Sequence, residues 1–559
     1  MVAKCMKKLK GTVVSEGIVI SKCTFINKYI KTIKPTIVTD VDGEINKFFL
    51  AKQKSIEQLE TLYNNSIIKI SKKDAMIFKS HQLMIQDTEF TDKIIYYIKV
   101  FKYNADYAIF KASKDYIDIL KSIQSEYIAQ RVDDIKDITD RLIENLLPNN
   151  CKDVIKIEDA CILATSDLMP SEILTIDQTK VLGIITSFGN KTSHTSILAK
   201  NMNIPSVVGL NTPLDDLNNK IVILDSFSGE VIVDPDEQVI KQYKEKKECL
   251  EKEREQLKRL INLPTFTVDK KEVKLMANIT SAKDVENAFN NGAKGIGLFR
   301  SEFLYLHRKE LPTEEELFNE YKSAIIKANG KEVIIRTIDI GSDKHVDYIP
   351  LPKETNPALG LRALRLCFDY IDVFKTQLRA LIRASAYGNL FILIPMVISL
   401  TEVITVKNII NDIKKNLHDE GIIFKENIPL GVMVETPSAV MISDILAKNV
   451  DFFSIGTNDL VQYTLACDRD NASLTYIYNP NHISILRMIK TVVDNAHKNN
   501  IWVEICGEVA SDQSMVGNLI GLGIDRFSVD IHNLLNVKRR LLQTDYKQSE
   551  KRLLNILYP

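Results

Sequence analysis

The second half of the chain alternates short apolar runs with longer segments in which apolar residues recur at helical spacing. A repeated strand–helix unit of this kind, eight times in nearly 300 residues, is typical of a (β/α)8 TIM barrel. We therefore predict an α/β barrel over residues 262–559. The predicted strands are Val273–Ala277, Gly295–Phe299, Val333–Thr337, Phe391–Met396, Leu430–Val434, Phe452–Ile455, Trp502–Cys506 and Phe527–Val529.

The first half carries two stretches of strand-like pattern with a helical block between them. Residues 9–24 favour two short strands and a turn, and strand-like runs return between residues 151 and 235. From residue 42 to residue 147 the apolar spacing is helical and proline is absent, which is typical of a helical bundle. The pattern predicts one α/β domain with an inserted helical subdomain. Two separate β-rich units are the alternative, because they would show the same pattern of strands.

Residues 237–260 are densely charged and contain neither proline nor glycine. Their few apolar residues are too widely spaced for a helix buried in a core. We predict a solvated linker helix over residues 236–261.

Composition narrows the class of protein. Lys and Arg together number 73, as do Asp and Glu, so charge does not favour a nucleic acid or a lipid surface as partner. A hydrophobic share of 45% with 26% charged residues is typical of a folded globular protein of several domains. The first residues lack the apolar core of a secretory signal, and the eight scattered cysteines form no CxxC pair. We expect a cytoplasmic protein with reduced thiols and no membrane insertion.

One short polar stretch, GNKTSHTS at residues 189–196, lies between an apolar run and a segment with helical spacing. His194 is thus predicted at a strand-to-helix junction, where small residues and hydroxyls let a phosphate come close and backbone amides can hold its oxygens. A neutral imidazole is a nucleophile at pH 7. The stretch predicts a histidine that accepts a phosphoryl group, and a histidine that caps a turn is the alternative.

Chemically active side chains follow several predicted barrel strands, at the ends where TIM barrels carry their active sites. The cationic and amide side chains there suit a small anionic ligand, because guanidinium groups bind phosphate and carboxylate oxygens in pairs. These residues are Arg300, Arg336, Arg362, Arg469, Lys344 and Asn458. Glu435 and Asp459 are poor neighbours for an anion unless a cation lies between, and their oxygens suit Mg²⁺. Each residue alone could also form a surface ion pair.

Cys506 ends the seventh predicted strand. A free cysteine is commonly a small buried hydrophobic residue, but beside this polar group it is also a candidate proton donor to a carbanion-like carbon. His307 and His345 are expected to be structural or exposed.

Several motifs resemble those of known phosphoenolpyruvate-utilising enzymes. GNKTSHTSILAKNMNIPSVVG, at residues 189–209, is similar to their phosphohistidine signature. GIGLFRSEFLYL, VIIRTIDIGSDK, NPALGLRALRLC, GVMVETPSA, DFFSIGTNDLVQYTLACDRDN and CGEVASD are similar, in order, to their phosphoenolpyruvate-binding barrel motifs. From LKGTVVSEGI onward, the whole chain resembles the enzyme I family of phosphoenolpyruvate–protein phosphotransferases from the bacterial sugar phosphotransferase system.

The resemblance implies a reaction and a role for each candidate residue. His194 would take the phosphoryl group of phosphoenolpyruvate and pass it to a histidine of the phosphocarrier protein HPr, with release of pyruvate. The substrate would be held by Arg300, Arg336, Arg362, Asn458, Arg469 and Lys344. Glu435 and Asp459 would bind Mg²⁺, and Cys506 would protonate the enolate.

The resemblance also implies a division of labour between domains. Residues 1–24 and 149–235 would form the phosphohistidine domain, and residues 25–148 the HPr-binding subdomain, with His81 and Arg131 in stretches similar to the docking region. Residues 262–559 would form the phosphoenolpyruvate-binding and homodimer-forming barrel.

The sequence departs from the family pattern close to the predicted site. Asn190 and Lys191 stand where Gly-Arg is commoner, Ser342 where Gly is usual, and Met169 where a hydroxyl residue often lies near the histidine. Lys191 keeps the charge of arginine but loses its fork, so we expect a weaker grip on phosphate near His194.

Two other functions fit parts of the sequence. A dikinase or phosphoenolpyruvate synthase would share the histidine and the barrel, but it needs an ATP-binding domain ahead of the histidine, where this chain has a helical block without a glycine-rich phosphate loop. A catalytically idle scaffold would bind partners through the helical subdomain, but it would not need the chemically active residues found here.

Overall fold

The chain forms two compact units, which the computed structural model divides at residues 251 and 252, within the predicted linker. The structure describes residues 6–26, 33–69, 72–121, 126–146, 157, 159–173, 176–177, 179–191, 193–306, 308, 310–341, 346, 348–349, 351, 354–469, 471–474 and 476–558.

The first unit contains an eight-stranded sheet whose strands come from both sides of the helical block. Its strands are β1 (Lys7–Lys10), β2 (Thr12–Ser15), β3 (Ile18–Ile26), β4 (Cys161–Thr165), β5 (Val181–Thr186), β6 (Ser206–Val208), β7 (Ile221–Asp225) and β8 (Glu230–Val233). Their order across the sheet is β1-β8-β7-β3-β4-β5-β6-β2. The two β-rich parts of the sequence therefore belong to one sheet. The alternative prediction of two separate β-rich units is wrong.

The start of this sheet differs from the sequence-based expectation of two strands. Three strands are present, and glycines separate them. At Gly11 a Cβ atom would lie 2.7 Å from a side-chain carbon of Val207 and from the carbonyl oxygen of Val208. The backbone therefore needs glycine where it passes close to β6, and that neighbour is almost 200 residues away in sequence.

Five helices lie between β3 and β4 in the described part of the chain, as the helical spacing predicts. They are α1 (Val41–Lys69), α2 (Lys72–Gln86), α3 (Thr88–Phe101), α4 (Ala105–Lys121) and α5 (Glu126–Leu146). Phe48, Phe78, Ile94, Ile109 and Leu142 are among the buried residues of their shared core. Asp87 caps α3 by accepting a hydrogen bond from the Phe90 amide, 3.0 Å away.

Two helices follow β4 and β5 in the sheet domain, α6 (Pro170–Ile173) and α7 (His194–Asn201). After β8 comes α8 (Glu237–Arg259), which buries none of its residues. The charged pattern therefore predicted both the existence and the solvation of this helix correctly.

The second unit is a closed eight-stranded parallel barrel. Its strands are β9 (Lys274–Ile279), β10 (Ile296–Arg300), β11 (Val333–Arg336), β12 (Leu390–Ile394), β13 (Leu430–Val434), β14 (Phe452–Gly456), β15 (Trp502–Cys506) and β16 (Arg526–Asp530). Each predicted strand is confirmed to within three residues at either end. The TIM barrel prediction is thus correct.

Helices follow the barrel strands, and several begin with a cap that the sequence contains. They are α9 (Asp284–Asn290), α10 (Glu314–Lys327), α11 (Ala363–Asp369), α12 (Ile371–Ala384), α13 (Leu400–Asp419), α14 (Pro437–Met441), α15 (Ser443–Leu446), α16 (Thr457–Leu465), α17 (Ile483–Lys498), α18 (Glu508–Ser511), α19 (Val516–Gly521), α20 (Leu534–Leu542) and α21 (Tyr546–Leu557). Thr313 with Glu316, and Ser399 with Glu402, form capping boxes that satisfy the first amides of α10 and α13. Among the described residues, no helix has the length and apolar character needed to cross a membrane.

The barrel interior is packed so tightly that one added methyl group should lower the stability of the barrel. Gly431 of β13 faces the ring of Phe452, and a Cβ atom there would lie 2.3 Å from the ring. Phe452 has no room to move away, because it is fully buried and stacks on Trp502 with 4.4 Å between ring centroids.

We expect Gly431→Ala to lower the free energy of unfolding of the barrel by about 1–3 kcal/mol, the usual range for overpacking a core. Urea denaturation followed by far-ultraviolet circular dichroism measures the change. Gly517→Ala is the matched control, because its Cβ would meet its nearest neighbour at an ordinary 3.5 Å inside α19. The control should be neutral or slightly stabilising, and equal effects of the two substitutions would contradict the packing argument.

Candidate functional site in the barrel

The carboxyl ends of the barrel strands surround a cavity of about 490 Å³. Eight of the ten predicted site residues line it, namely Arg300, Arg336, Arg362, Glu435, Asn458, Asp459, Arg469 and Cys506. They reach it from five different strand ends and the loops that follow, which is how a TIM barrel assembles an active site. The cavity thus gathers residues that are up to 206 positions apart in sequence.

Two of the arginines are buried and held by carboxylates. Arg336 ends β11 and pairs with Glu302 Oε1 at 2.5 Å and Asp339 Oδ2 at 2.9 Å. Arg362 precedes α11 and pairs with the other oxygen of Asp339 at 3.2 Å, with Asp459 Oδ1 further away at 3.6 Å. The surrounding carboxylates raise the pKa of both guanidinium groups although burial opposes the rise. Both guanidinium groups therefore have fixed positions and a permanent positive charge, which suits them to bind an anion.

The cavity lining is not predominantly cationic, although the predicted arginines and lysine suggested that it would be. Five acidic side chains line the cavity beside its four arginines, and they are Glu302, Asp339, Glu435, Asp459 and Glu508. A buried arginine without a counter-ion would be strongly destabilising, which explains the pairing. Glu302 and Asp339 are not among the residues predicted from the sequence. Their short spacing from Arg300 and Arg336 was the available signal.

Asn458 and Asp459 lie in the first turn of α16, directly after β14. The Asn458 amide oxygen accepts a hydrogen bond from the Glu508 backbone N–H at 3.1 Å. Gly507 adopts a φ of 92°, and a Cβ atom there would lie 2.9 Å from the same amide oxygen. The loops after β14 and β15 therefore touch at this glycine and fix the Asn458 side chain at the cavity wall. Arg469 lines the cavity from the loop after α16 and is itself exposed.

Glu435 and Asp459 fit the resemblance-based prediction of a magnesium site. Glu435 is buried, and its Oε1 accepts a hydrogen bond from the Met396 amide at 2.6 Å. Burial, followed by the charges of Asp459 and Asp339, raises the pKa of Glu435, while Arg336 opposes this. Asp459 Oδ1 is buried without a hydrogen-bond partner. Two carboxylates that line one cavity, one with an oxygen that makes no hydrogen bond, suit a divalent cation that completes its shell with substrate oxygens and water.

The described residues contain no group of three or more His, Cys, Asp or Glu side chains arranged to bind a metal ion. A pair of carboxylates nevertheless agrees with Mg²⁺ chemistry, because Mg²⁺ is usually bound by one or two carboxylates together with substrate phosphates. The donor set therefore fits a cation that binds with substrate.

Two non-glycine residues next to the cavity-lining side chains have strained backbone conformations. Met396, whose amide contacts Glu435, has a φ of 56°, and Ala363, directly after Arg362, has a φ of 51°. Such conformations cost of order 1–3 kcal/mol and persist where the surroundings impose them, often at active sites. Here they aim one amide at a carboxylate and place one arginine over the cavity.

Cys506 is buried at the end of β15. Its Sγ donates to the carbonyl oxygen of Ile455 at 3.3 Å and accepts from the Ser454 hydroxyl at 3.4 Å. Burial raises its pKa to about 12; the Ser454 hydrogen bond and Arg336 lower it, and Glu504 and Glu435 raise it. At neutral pH this residue is therefore a thiol that carries a proton at the cavity wall.

His194 lies in the other compact unit, as the first residue of α7, after β5 and a seven-residue loop. The predicted strand-to-helix junction is therefore present. Ser193 is the N-cap, and its hydroxyl accepts from the Ser196 amide at 3.2 Å. The Asn190 carbonyl accepts from the Ser196 hydroxyl at 2.6 Å, and Thr195 donates to the Leu168 carbonyl at 2.8 Å. These hydroxyls hold the junction in shape.

Models of known protein families and several named proteins match this chain. The family model described as "PEP-utilising enzyme, PEP-binding domain" matches residues 254–546, which include the whole barrel-mouth cavity. The models described as "PEP-utilising enzyme, N-terminal" and "PEP-utilising enzyme, mobile domain" match residues 10–131 and 157–229. A curated protein from Priestia megaterium, named phosphoenolpyruvate-protein phosphotransferase, is 40% identical over 99% of this chain and 96% of its own length.

The chain belongs to the family of phosphoenolpyruvate-utilising enzymes. Proteins named phosphoenolpyruvate-protein phosphotransferase from Haemophilus influenzae and Bacillus subtilis are each 38% identical, over 97% and 98% of this chain. All of these relatives are named as transferases and match nearly from end to end. The family assignment made from the motifs is therefore confirmed, and with it the membership of a family of transferases.

Lys344, Ser342, His345 and His307 lie outside the described residues. His81 is fully buried, with its Nε2 atom 3.1 Å from Asp134 Oδ1 of α5. Its ring therefore joins α2 to α5 and is not exposed to a docking protein.

Proposed function

We propose that this protein transfers the phosphoryl group of phosphoenolpyruvate to His194 and then to a histidine of the phosphocarrier protein HPr, with release of pyruvate. The observation that carries the proposal is the buried pair Arg336 and Arg362, locked by Asp339 at the mouth of the barrel beside two carboxylates and a protonated thiol. Near full-length identity to phosphoenolpyruvate-protein phosphotransferases supports it.

The cavity residues can hold both charged groups of phosphoenolpyruvate. Phosphoryl transfer depends on positioning and on neutralising charge, and fixed guanidinium groups provide both without moving during the reaction. Arg300, Arg336, Arg362, Arg469 and Asn458 line the space from several sides, so phosphate and carboxylate can be bound by different residues. Lys344 is a further proposed ligand. Mg²⁺ bound by Glu435 and Asp459 would supply positive charge to the substrate oxygens.

Three groups would then take part in bond making. A nitrogen of the His194 imidazole attacks phosphorus, the N–P bond forms, and the bond from phosphorus to the enol oxygen breaks. The departing enolate takes the Cys506 proton at its terminal carbon and becomes pyruvate. The Arg336 charge lowers the pKa of Cys506, so it stabilises the thiolate that remains.

Delivery of the phosphoryl group would use the helical subdomain of residues 25–148 as the docking surface for HPr, with Arg131 of α5 in that region. We also propose that the barrel mediates a homodimer and that the protein acts in the cytoplasm in the first step of the sugar phosphotransferase system. The names of the relatives support a protein as the acceptor.

A labelling experiment tests the proposal. We expect the full-length protein, mixed with phosphoenolpyruvate labelled on phosphorus and Mg²⁺, to form one pyruvate and bind one label per chain. The label should be stable in alkali and labile in acid, and should move to added HPr without AMP or inorganic phosphate. Chelation of Mg²⁺ should lower labelling by at least about 100-fold, since transition-state charge is then unscreened. An unlabelled protein would favour a scaffold, and a need for AMP and phosphate would favour a dikinase.

A further inference from the structure

A second buried acid lies inside the barrel, beneath the cavity. Glu504 precedes Cys506 by two residues on β15, so both side chains point to the same face of the strand, the barrel interior. Glu504 is 0% exposed, and neither of its carboxyl oxygens has a hydrogen-bond partner. An ionised carboxylate in such a place would be strongly unfavourable, so the carboxyl group retains its proton.

Space for this carboxyl group exists because Gly297 lies opposite it. A Cβ atom on Gly297 would lie 2.5 Å from Glu504 Oε2 and 2.4 Å from the Ser528 hydroxyl. The barrel interior therefore leaves room for an acidic side chain at this level. The strand that carries this acid, WVEIC, is otherwise apolar.

Ser454 connects Glu504 to Cys506. In the paired strands β14 and β15, Ser454 lies directly beside Glu504, and this neighbour lowers the pKa of the Glu504 carboxyl group. The same hydroxyl donates to Cys506 Sγ at 3.4 Å. A hydroxyl donates one hydrogen bond and accepts others, so Ser454 can pass a proton from an acid on one side to the sulfur on the other.

Among its charged neighbours, the Glu504 carboxyl group is a stronger acid than the Cys506 thiol. Arg526 lies beside it on β16, but Arg526 already pairs with Glu332 at 2.6 Å and stacks on the Trp502 ring at 3.4 Å. Burial raises the pKa of Glu504 to about 8, with Arg526 and Ser454 opposing the rise and Glu332 adding to it. The pKa of Cys506 is higher, so proton transfer from Glu504 to a Cys506 thiolate runs downhill.

We propose that Glu504 is a positioning residue that returns a proton to Cys506 through Ser454 after each enolate protonation. The proposal rests on the proposed function, in which Cys506 is the proton donor. The Cys506 thiolate takes the Ser454 hydroxyl proton while the Ser454 oxygen takes the Glu504 carboxyl proton. Two O–H bonds break, and one S–H and one O–H bond form. A hydronium ion from solvent then gives a proton to the Glu504 carboxylate and leaves as water.

An isotope experiment on the full-length protein separates this relay from a structural role. With Mg²⁺, unlabelled phosphoenolpyruvate and carbon-14 pyruvate in D2O, carbon exchange between the two compounds reuses the same Cys506 proton in both directions. Entry of deuterium into the pyruvate methyl group instead requires Cys506 to exchange its proton with solvent. We expect Glu504→Gln to keep carbon exchange within about twofold of the wild type and to lower deuterium entry about tenfold, the lower range for general acid–base catalysis.

Companion variants make each outcome decisive. Ser454→Ala should show the same selective loss, and Glu504→Asp, which keeps an acid, should recover part of it. Ser528→Ala is the matched control, because its hydroxyl also faces Gly297 but donates to Asn278 Oδ1 at 2.6 Å, and neither rate should change. Equal loss of both rates in Glu504→Gln and Ser454→Ala, or no loss in either, would overturn the relay. Carbon exchange that persists in Cys506→Ala would instead overturn the proton donor of the proposed function.

Discussion

Replacing His194 by alanine is expected to abolish phosphoryl transfer while leaving the barrel able to bind phosphoenolpyruvate. The imidazole is the only proposed nucleophile of the reaction, and loss of a nucleophile in an enzyme lowers the rate by several orders of magnitude. We expect pyruvate formation to fall by at least about 10⁴-fold and labelling to disappear. The cavity that we propose as the substrate site is formed within the second compact unit, so phosphoenolpyruvate affinity measured by calorimetry should stay within about twofold of the wild type.

His418→Gln is the matched control for this prediction. His418 is an exposed histidine near the end of α13, outside the cavity lining. This variant should incorporate the same amount of acid-labile label as the wild type. Label that persists in His194→Ala, or that is lost in His418→Gln, would show that the phosphoryl group is carried elsewhere.

The second large effect is expected at Arg336, where charge and geometry can be separated. Arg336→Met removes a guanidinium group that is 7% exposed and leaves Glu302 and Asp339 without their shared cation. Breaking a buried pair in this way costs about 3–5 kcal/mol, so the barrel should be clearly less stable. Arg336→Lys keeps the charge and loses the fork, so we expect a smaller stability loss but about a 100-fold decrease in kcat/KM for phosphoenolpyruvate.

Arg383→Lys controls for loss of an arginine fork elsewhere in the barrel. Arg383 of α12 pairs with Glu314 at 2.5 Å and Glu315 at 2.9 Å, in a part-exposed position outside the cavity. Its replacement should change the free energy of unfolding by less than about 1 kcal/mol and leave kcat/KM unchanged. Thermal unfolding and steady-state pyruvate release measure the two quantities. If Arg336→Lys behaved like Arg383→Lys, the proposed substrate contact of Arg336 would be wrong.

The outline of both units could be predicted from local patterns. The barrel strands appear as short apolar runs because each strand is buried on both faces, and such runs need no knowledge of their neighbours. The charged stretch over residues 237–260 predicted α8 for a related reason, since a helix that buries nothing needs no apolar face. The positions of Arg300, Arg336, Glu435 and Cys506 followed from the rule that barrel chemistry lies at carboxyl ends of strands.

Other features depend on contacts between residues that are far apart in the sequence. His81 belongs to a stretch similar to a docking region, yet the fold buries it against Asp134, 53 residues away. Glu302 and Asp339 stand near arginines in the sequence, but only the closed barrel shows that they hold Arg336 in place.

The sequence by itself thus determined the family, the order of elements and the residues able to do the chemistry, because motifs and periodicity are written in neighbouring positions. Tertiary structure alone decided which charges are paired, which thiol stays protonated and which acid lies beneath it. Pairing and burial set these properties, and both arise only when strands from distant parts of the chain meet in one barrel. Glu504 illustrates the difference, since an acid in an apolar run acquires its environment only from Ser454 and Arg526 on the neighbouring strands and from Gly297 on β10.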